Sequence, residues 1–147
     1  MTPAQEPSWS DWVALTSTEV RKAPSTPGVY EVRQGRTGPT VYVGMAGERS
    51  GQGLRGRLMV YTSGKGMVSG LGEAVMDRSL ADAGWLRERL RQVEDGDPTR
   101  AKQWAADAIA HADLYVRWAS TPTTEEARRL EAEVMARSGP DLWNRRR

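Results

Sequence analysis

Three phenols, a guanidinium and a carboxylate are the residues of this chain best suited to chemistry. Tyr30 and Tyr42 each sit in a short run of β-formers, Thr26-Pro-Gly-Val-Tyr30 and Thr40-Val-Tyr-Val-Gly44. A phenol can hold a water or an anion by hydrogen bonding, or take a proton once ionised. With an ordinary pKa of about 10, only about one phenol in a thousand is ionised at neutral pH, so a basic role needs a cation nearby. Arg57 lies four residues before Tyr61 in an apolar-spaced run with Leu54 and Leu58, which makes the two side chains neighbours on one helical turn. Its planar fork can grip two phosphate oxygens and stays charged at any working pH. Glu131 falls beside the stripe Ala127, Leu130, Val134 and Met135. A carboxylate left unpaired there costs several kcal/mol, so an arginine or a metal cation must meet it, and periodicity alone favours an arginine.

The order of these residues resembles that of the GIY-YIG nuclease family. Gly28-Val-Tyr30, eleven intervening residues and Tyr42-Val-Gly44 are similar to its signature; Arg57 with Tyr61 resembles its arginine helix. Thr124-Glu-Glu-Ala-Arg-Arg-Leu-Glu131, Pro140 and Asn144 resemble its glutamate helix and the asparagine that follows. The resemblance implies a metal-dependent endonuclease that hydrolyses phosphodiester bonds with one Mg²⁺ or Mn²⁺. It implies that Glu131 binds the ion, that Arg57 and Tyr61 hold the non-bridging oxygens, and that Tyr42 and Tyr30 orient or deprotonate the attacking water. DNA is the implied partner, with RNA open, and Asn144 is placed near the substrate. The chain departs from the family at Met45, where relatives commonly carry lysine, and in its longer loop to the arginine helix. Arg49 in that loop is a candidate substitute cation, and Arg55 a candidate contact to the nucleic-acid backbone. The missing lysine keeps an alternative open: a catalytically inactive nucleic-acid-binding module on the same fold.

The elements that must position these groups can be read in outline. Pro27, Gly28 and the turn residues of Gln34-Gly-Arg-Thr-Gly-Pro39 frame an antiparallel hairpin. Register across a loop of that length is open, so whether the two phenols share a face is open too. Asp113-Leu-Tyr-Val-Arg-Trp118 alternates as a half-buried third strand, and Thr123 with Glu126 forms a capping box for the last helix. The expected fold is α+β: a small three-stranded antiparallel sheet flanked by helices. Residues 1–24 read as a loose tail and a short helix carrying Trp9, Trp12, Val13 and Leu15, capped by Ser8 or Ser10. Residues 25–147 read as the nuclease-like domain. Within it, residues 62–112 form a helical insertion without evident chemistry, open to serving as a lid, a substrate-orienting wall or a dimer face, with Val68, Leu71 and Val75 on one helix, Trp85, Leu86, Leu90 and Val93 on a second, and Ala101 to Ile109 on a third.

Composition narrows the classes. A chain of 147 residues suits one core. It contains no Cys and a single His, His111, so thiolate and multi-histidine metal sites are excluded and any metal must be held by oxygen. His111 reads as a capping or surface residue. No apolar run reaches membrane-spanning length, which leads to the expectation of a soluble, cytoplasmic protein. The net charge is +2, unevenly spread: Arg49, Arg55, Arg57 and Lys65 are uninterrupted by acids, which suits a surface facing a polyanion and equally an ordinary solvated one, and the three terminal arginines read first as a solvated tail.

Overall fold

The computed structural model describes residues 6–48 and 52–144. Four antiparallel strands form one sheet in the order β1-β4-β2-β3: β1 is Val13–Ala14, β2 Gly28–Gln34, β3 Thr40–Ala46 and β4 Leu114–Ser120. The hairpin β2–β3 and the third strand β4 are as the alternating patterns suggest. The fourth strand is a correction. The segment expected to be a helix from Trp9 to Leu15 runs extended along β4, with Val13 opposite Val116 and a bridge from Trp9 to Ala119. Ser10, expected as a cap, instead donates its backbone N–H to the Trp118 carbonyl and accepts the Trp118 N–H on Oγ. The edge of β4 offers unpaired backbone groups that an extended segment satisfies, and four apolar positions are too few to enforce a helix against that. A different short helix follows, containing none of those residues: α1, Ser17–Val20, is capped by Thr16, whose Oγ1 accepts from the Glu19 N–H.

Side chains alternate across the strands and give the sheet two cores. Tyr30, Val32, Tyr42, Val116 and Trp118 face α2 (Gly53–Thr62), α3 (Gly70–Leu80) and α5 (Ala101–His111), burying Leu54, Leu58, Leu71, Val75 and Ile109. Val29, Val43 and Ala119 face α6 (Thr124–Arg137), burying Ala127, Leu130 and Val134. α6 starts as its capping residues predict, Thr123 Oγ1 accepting the Glu126 N–H at 3.1 Å. β3 is an edge strand, and the C-terminal segment covers it: Trp143 N–H bonds the Val41 carbonyl, and the Asn144 amide pairs with Val43.

The 62–112 segment holds the three expected helices, α3, α5 and α4 (Ala83–Glu94) between them. Two details differ from the periodicity. Val68 precedes α3 and is 79% exposed, so it is not part of that helix's buried stripe. In α4 the buried residue is Trp85, set edge-on to Trp104 at 5.2 Å, while Leu86, Leu90 and Val93 face outward. His111 closes α5 and lies 3.0 Å from Asp82, the N-cap of α4. Among the described residues no helix is long and apolar enough to cross a membrane.

Candidate active site

Register brings the two hairpin tyrosines together. Tyr30 stands opposite Gly44, and Tyr42 opposite Val32. A Cβ on residue 44 would fall 2.3 Å from the Tyr30 Cζ and Oη, so the glycine is what lets the Tyr30 ring lie across β3. The Tyr30 and Tyr42 rings are stacked, 6.3 Å between centroids. Tyr61 arrives from α2, meets Tyr30 edge-on at 6.2 Å, and the two hydroxyls share a hydrogen bond of 2.8 Å. Leu54 and Leu58, both fully buried, fix that helix against the sheet. One turn before Tyr61, Arg57 holds its guanidinium 5.4 Å from the Tyr61 ring centre.

The convergence is tightest beside Gly70, the first residue of α3. The point where its Cβ would lie is 2.6 Å from Tyr42 Oη, 3.0 Å from Tyr61 Oη and 3.5 Å from Arg57 Nη2. Gly70 is itself exposed and has φ +50, which only glycine adopts cheaply. Thus two hydroxyls and a guanidinium share one solvent-reachable corner with the backbone of the insertion. The sequence left a lid, a substrate-orienting wall and a dimer face open for residues 62–112, but it did not single out Gly70. A signal was present: Gly64, Gly66, Gly70 and Gly72 are four glycines in nine residues. A Cβ on Gly66 would lie 3.0 Å from the Tyr61 ring, and one on Gly72 only 1.7 Å from the Gly66 carbonyl oxygen. This glycine-rich turn therefore packs as a tight lid on Tyr61.

Electrostatics in the corner favour neutral phenols. Burial raises the Tyr30 pKa well above the ordinary value, helped by Tyr61 and Tyr42 and opposed by Arg57. Burial also raises Tyr42, as do Tyr61 and Glu131, against the pull of Arg57. Burial works against the charge on Arg57, but the Tyr30 and Tyr61 phenols outweigh it and its pKa is raised. The Nε of Arg57 is buried without a hydrogen-bond partner among the described residues.

Glu131 lies half-buried on α6, on the other side of the sheet from Arg57, and its charge still reaches Tyr42 across the edge strand. A second acid, on β2, is buried against an arginine. Glu31 on β2 is 5% exposed, accepts from Arg117 Nη2 at 3.2 Å on both oxygens, and takes the Thr40 hydroxyl. Among the described residues no three histidine, aspartate or glutamate side chains gather in one place. The carboxylate of Glu131 is a hard oxygen donor, which fits Mg²⁺ or Mn²⁺, with most of the coordination left to water and phosphate.

The remaining candidates are dispersed. Arg55 turns away, its Nε donating to the Ala23 carbonyl at 2.8 Å, which ties α2 to the turn before β2. Asn144 has both ends of its amide engaged by Val43, Nδ2 donating at 2.7 Å and Oδ1 accepting at 3.1 Å. Arg49 and the terminal arginines lie outside the described residues. Met45, opposite Val29, is half-buried against the α6 core, so this position faces apolar packing. No family model, curated protein or solved structure matches the chain.

Proposed function

We propose that this chain is a metal-dependent endonuclease of the GIY-YIG type, acting on DNA. The observation that supports the reading above all others is the meeting of Tyr42, Tyr61 and Arg57 within 3.5 Å of one point beside exposed Gly70, with the charge of Glu131 felt at Tyr42. Three polar groups from β3 and α2 thus meet at an exposed corner, and Glu131 on α6 bears on it through its charge.

In this proposal Arg57 binds the scissile phosphate through the Nη end of its fork, which faces the corner beside Gly70. Tyr61 adds a hydroxyl to the same phosphate and is held in place by its 2.8 Å bond to Tyr30. Tyr42, kept protonated by burial, orients the attacking water as a hydrogen-bonding group rather than removing its proton. Glu131 would hold one Mg²⁺ or Mn²⁺, which when bound supplies Lewis-acid stabilisation of charge on phosphoryl and leaving oxygens.

The second reading, a silent nucleic-acid-binding module, is favoured by Met45 alone, whose apolar surroundings leave no lysine function at that position. Supercoiled plasmid incubated with the protein and Mg²⁺ or Mn²⁺, with EDTA as control, separates the two. The nuclease reading predicts nicking that disappears with EDTA and falls at least about a hundredfold in Arg57→Ala and Glu131→Gln, at nearly unchanged melting temperature. Equal nicking by both variants would remove the proposed site, and retardation of DNA with no nicking would establish the second reading. Labelled RNA assayed in parallel tests the choice of substrate.

A further inference from the structure

The outer face of α4 carries an unusual load for the outermost helix of a small protein. Leu86, Leu90 and Val93 are 36, 56 and 55% exposed. Their spacing of four and three residues places them in one stripe along the helix. They are three of the five large apolar side chains exposed among the described residues, while the buried anchor of α4 is Trp85 on the neighbouring face, set against Trp104. Single exposed leucines need no explanation, but a continuous stripe does.

The charges beside the stripe say what fits it. Arg87 and Glu94 are exposed, seven residues apart, and both lie on the flank of the stripe away from Trp85. Neither has an ion-pair partner among the described residues, although their neighbour Arg91 is engaged by both Glu88 and Asp95. Arg89, on the opposite flank, is taken by Asp107. Two opposite charges on one flank, at two helical turns' separation, cannot reach each other along the helix. They do meet when a second copy of the helix lies antiparallel across the first. A two-fold axis near Leu90 and Arg91 sets Arg87 of each copy against Glu94 of the other, with the leucines and Val93 interleaved between. The face is thus complementary to itself, as the interface of a two-fold dimer must be.

We propose that the chain self-associates through α4, antiparallel to its copy about this axis. The stripe is short, so the dimer belongs with small, reversible interfaces and forms with rising concentration. The proposal is independent of the nuclease reading.

Sedimentation velocity over a concentration series tests it on the intact chain, whose monomer mass is 16.3 kDa. The expected result is a reversible shift toward twice that mass, lost in Leu90→Glu, which puts like charges at the axis. Arg87→Glu and Glu94→Arg should each weaken association at least about tenfold, and the double exchange Arg87→Glu with Glu94→Arg should restore it, because the partner of each charge is on the other copy. All three positions are exposed, and circular dichroism checks that each variant is folded. A monomer at every concentration overturns the proposal. So does a dimer indifferent to the single charge reversals, or a double exchange that fails to rescue.

Discussion

Placing alanine at Gly70 should separate the strain of a backbone turn from damage to the site. Residue 70 has φ +50, where a side chain costs roughly 1–2 kcal/mol. For a chain of this size that corresponds to a fall of roughly 3–8 °C in melting temperature. The new methyl would also sit 2.6 Å from Tyr42 Oη and 3.0 Å from Tyr61 Oη, where ordinary contact begins near 3.4 Å. Tyr42 must therefore retreat by about 0.8 Å, and displacement of a positioning group by about 1 Å costs up to about a hundredfold in rate. Gly96 provides the control: its φ is +77 and nothing lies within 4 Å of its Cβ position. Gly96→Ala should lose a similar melting temperature and keep nicking activity, while Gly70→Ala loses both. Thermal unfolding by circular dichroism and plasmid nicking in Mg²⁺ read the two quantities. If Gly70→Ala cuts plasmid as fast as Gly96→Ala, the first turn of α3 does not border the reacting groups and the placement of the site is wrong.

Two further predictions follow from the same geometry. Tyr30 and Tyr42 have raised pKa values in the folded protein; a phenol so shifted contributes stability fully below the unfolded value near pH 10, and that contribution is lost as pH rises through the folded value. Stability should accordingly hold to about pH 10 and then fall, with Tyr30→Phe and Tyr42→Phe each reducing the alkaline slope by up to about 1.4 kcal/mol per pH unit, and a parent protein whose phenolate absorbance is complete before unfolding begins would contradict this. Asn144→Ala removes both amide bonds to Val43 and should cost about 1–2 kcal/mol while speeding hydrogen exchange at the Val43 amide; unchanged protection there would show that the C-terminal segment does not pair with β3.

The hairpin, β4 and the start of α6 were legible because each is announced by local chemistry: glycine and proline at the turn, alternation in Leu114 to Trp118, and Thr123 as a cap. What the chain does not announce is how those pieces face one another. Tyr30 and Tyr42 share a face only because Gly44 stands opposite Tyr30, and the pairing slips between Val32 and Arg33, a shift no turn sequence of this length dictates. Periodicity found the helix α4 but put Leu86, Leu90 and Val93 on its buried face, where Trp85, one step around the helix, stands instead. A large ring with a partner in Trp104 gains more from burial than Leu86 or Leu90 does. Trp9 to Leu15 was misread because a handful of apolar residues fits a helix and an extended edge equally well, and the vacant side of β4 decided between them. Gly70 went unread because its role lies in what its missing side chain leaves room for.

The division of the core into two halves bears on how a site of this kind could work. Arg57 is carried by a helix packed on the Tyr30 face of the sheet and Glu131 by a helix packed on the Val29 face, so the two charges approach Tyr42 from opposite sides of an edge strand. Their effects on that phenol oppose each other, Arg57 favouring ionisation and Glu131 resisting it. Burial keeps the hydroxyl protonated, and in the proposed site the phosphate would lie on the Arg57 side and the metal ion on the Glu131 side. In the proposed chemistry each partner improves the site for the other, since an ion at Glu131 would cancel the charge that now raises Tyr42, and a phosphate at Arg57 would supply the oxygens that a single carboxylate lacks as a coordination shell. Weak metal affinity in the absence of nucleic acid, strengthening when it is present, is the physical consequence of dividing the two charges between two helices with one phenol between them.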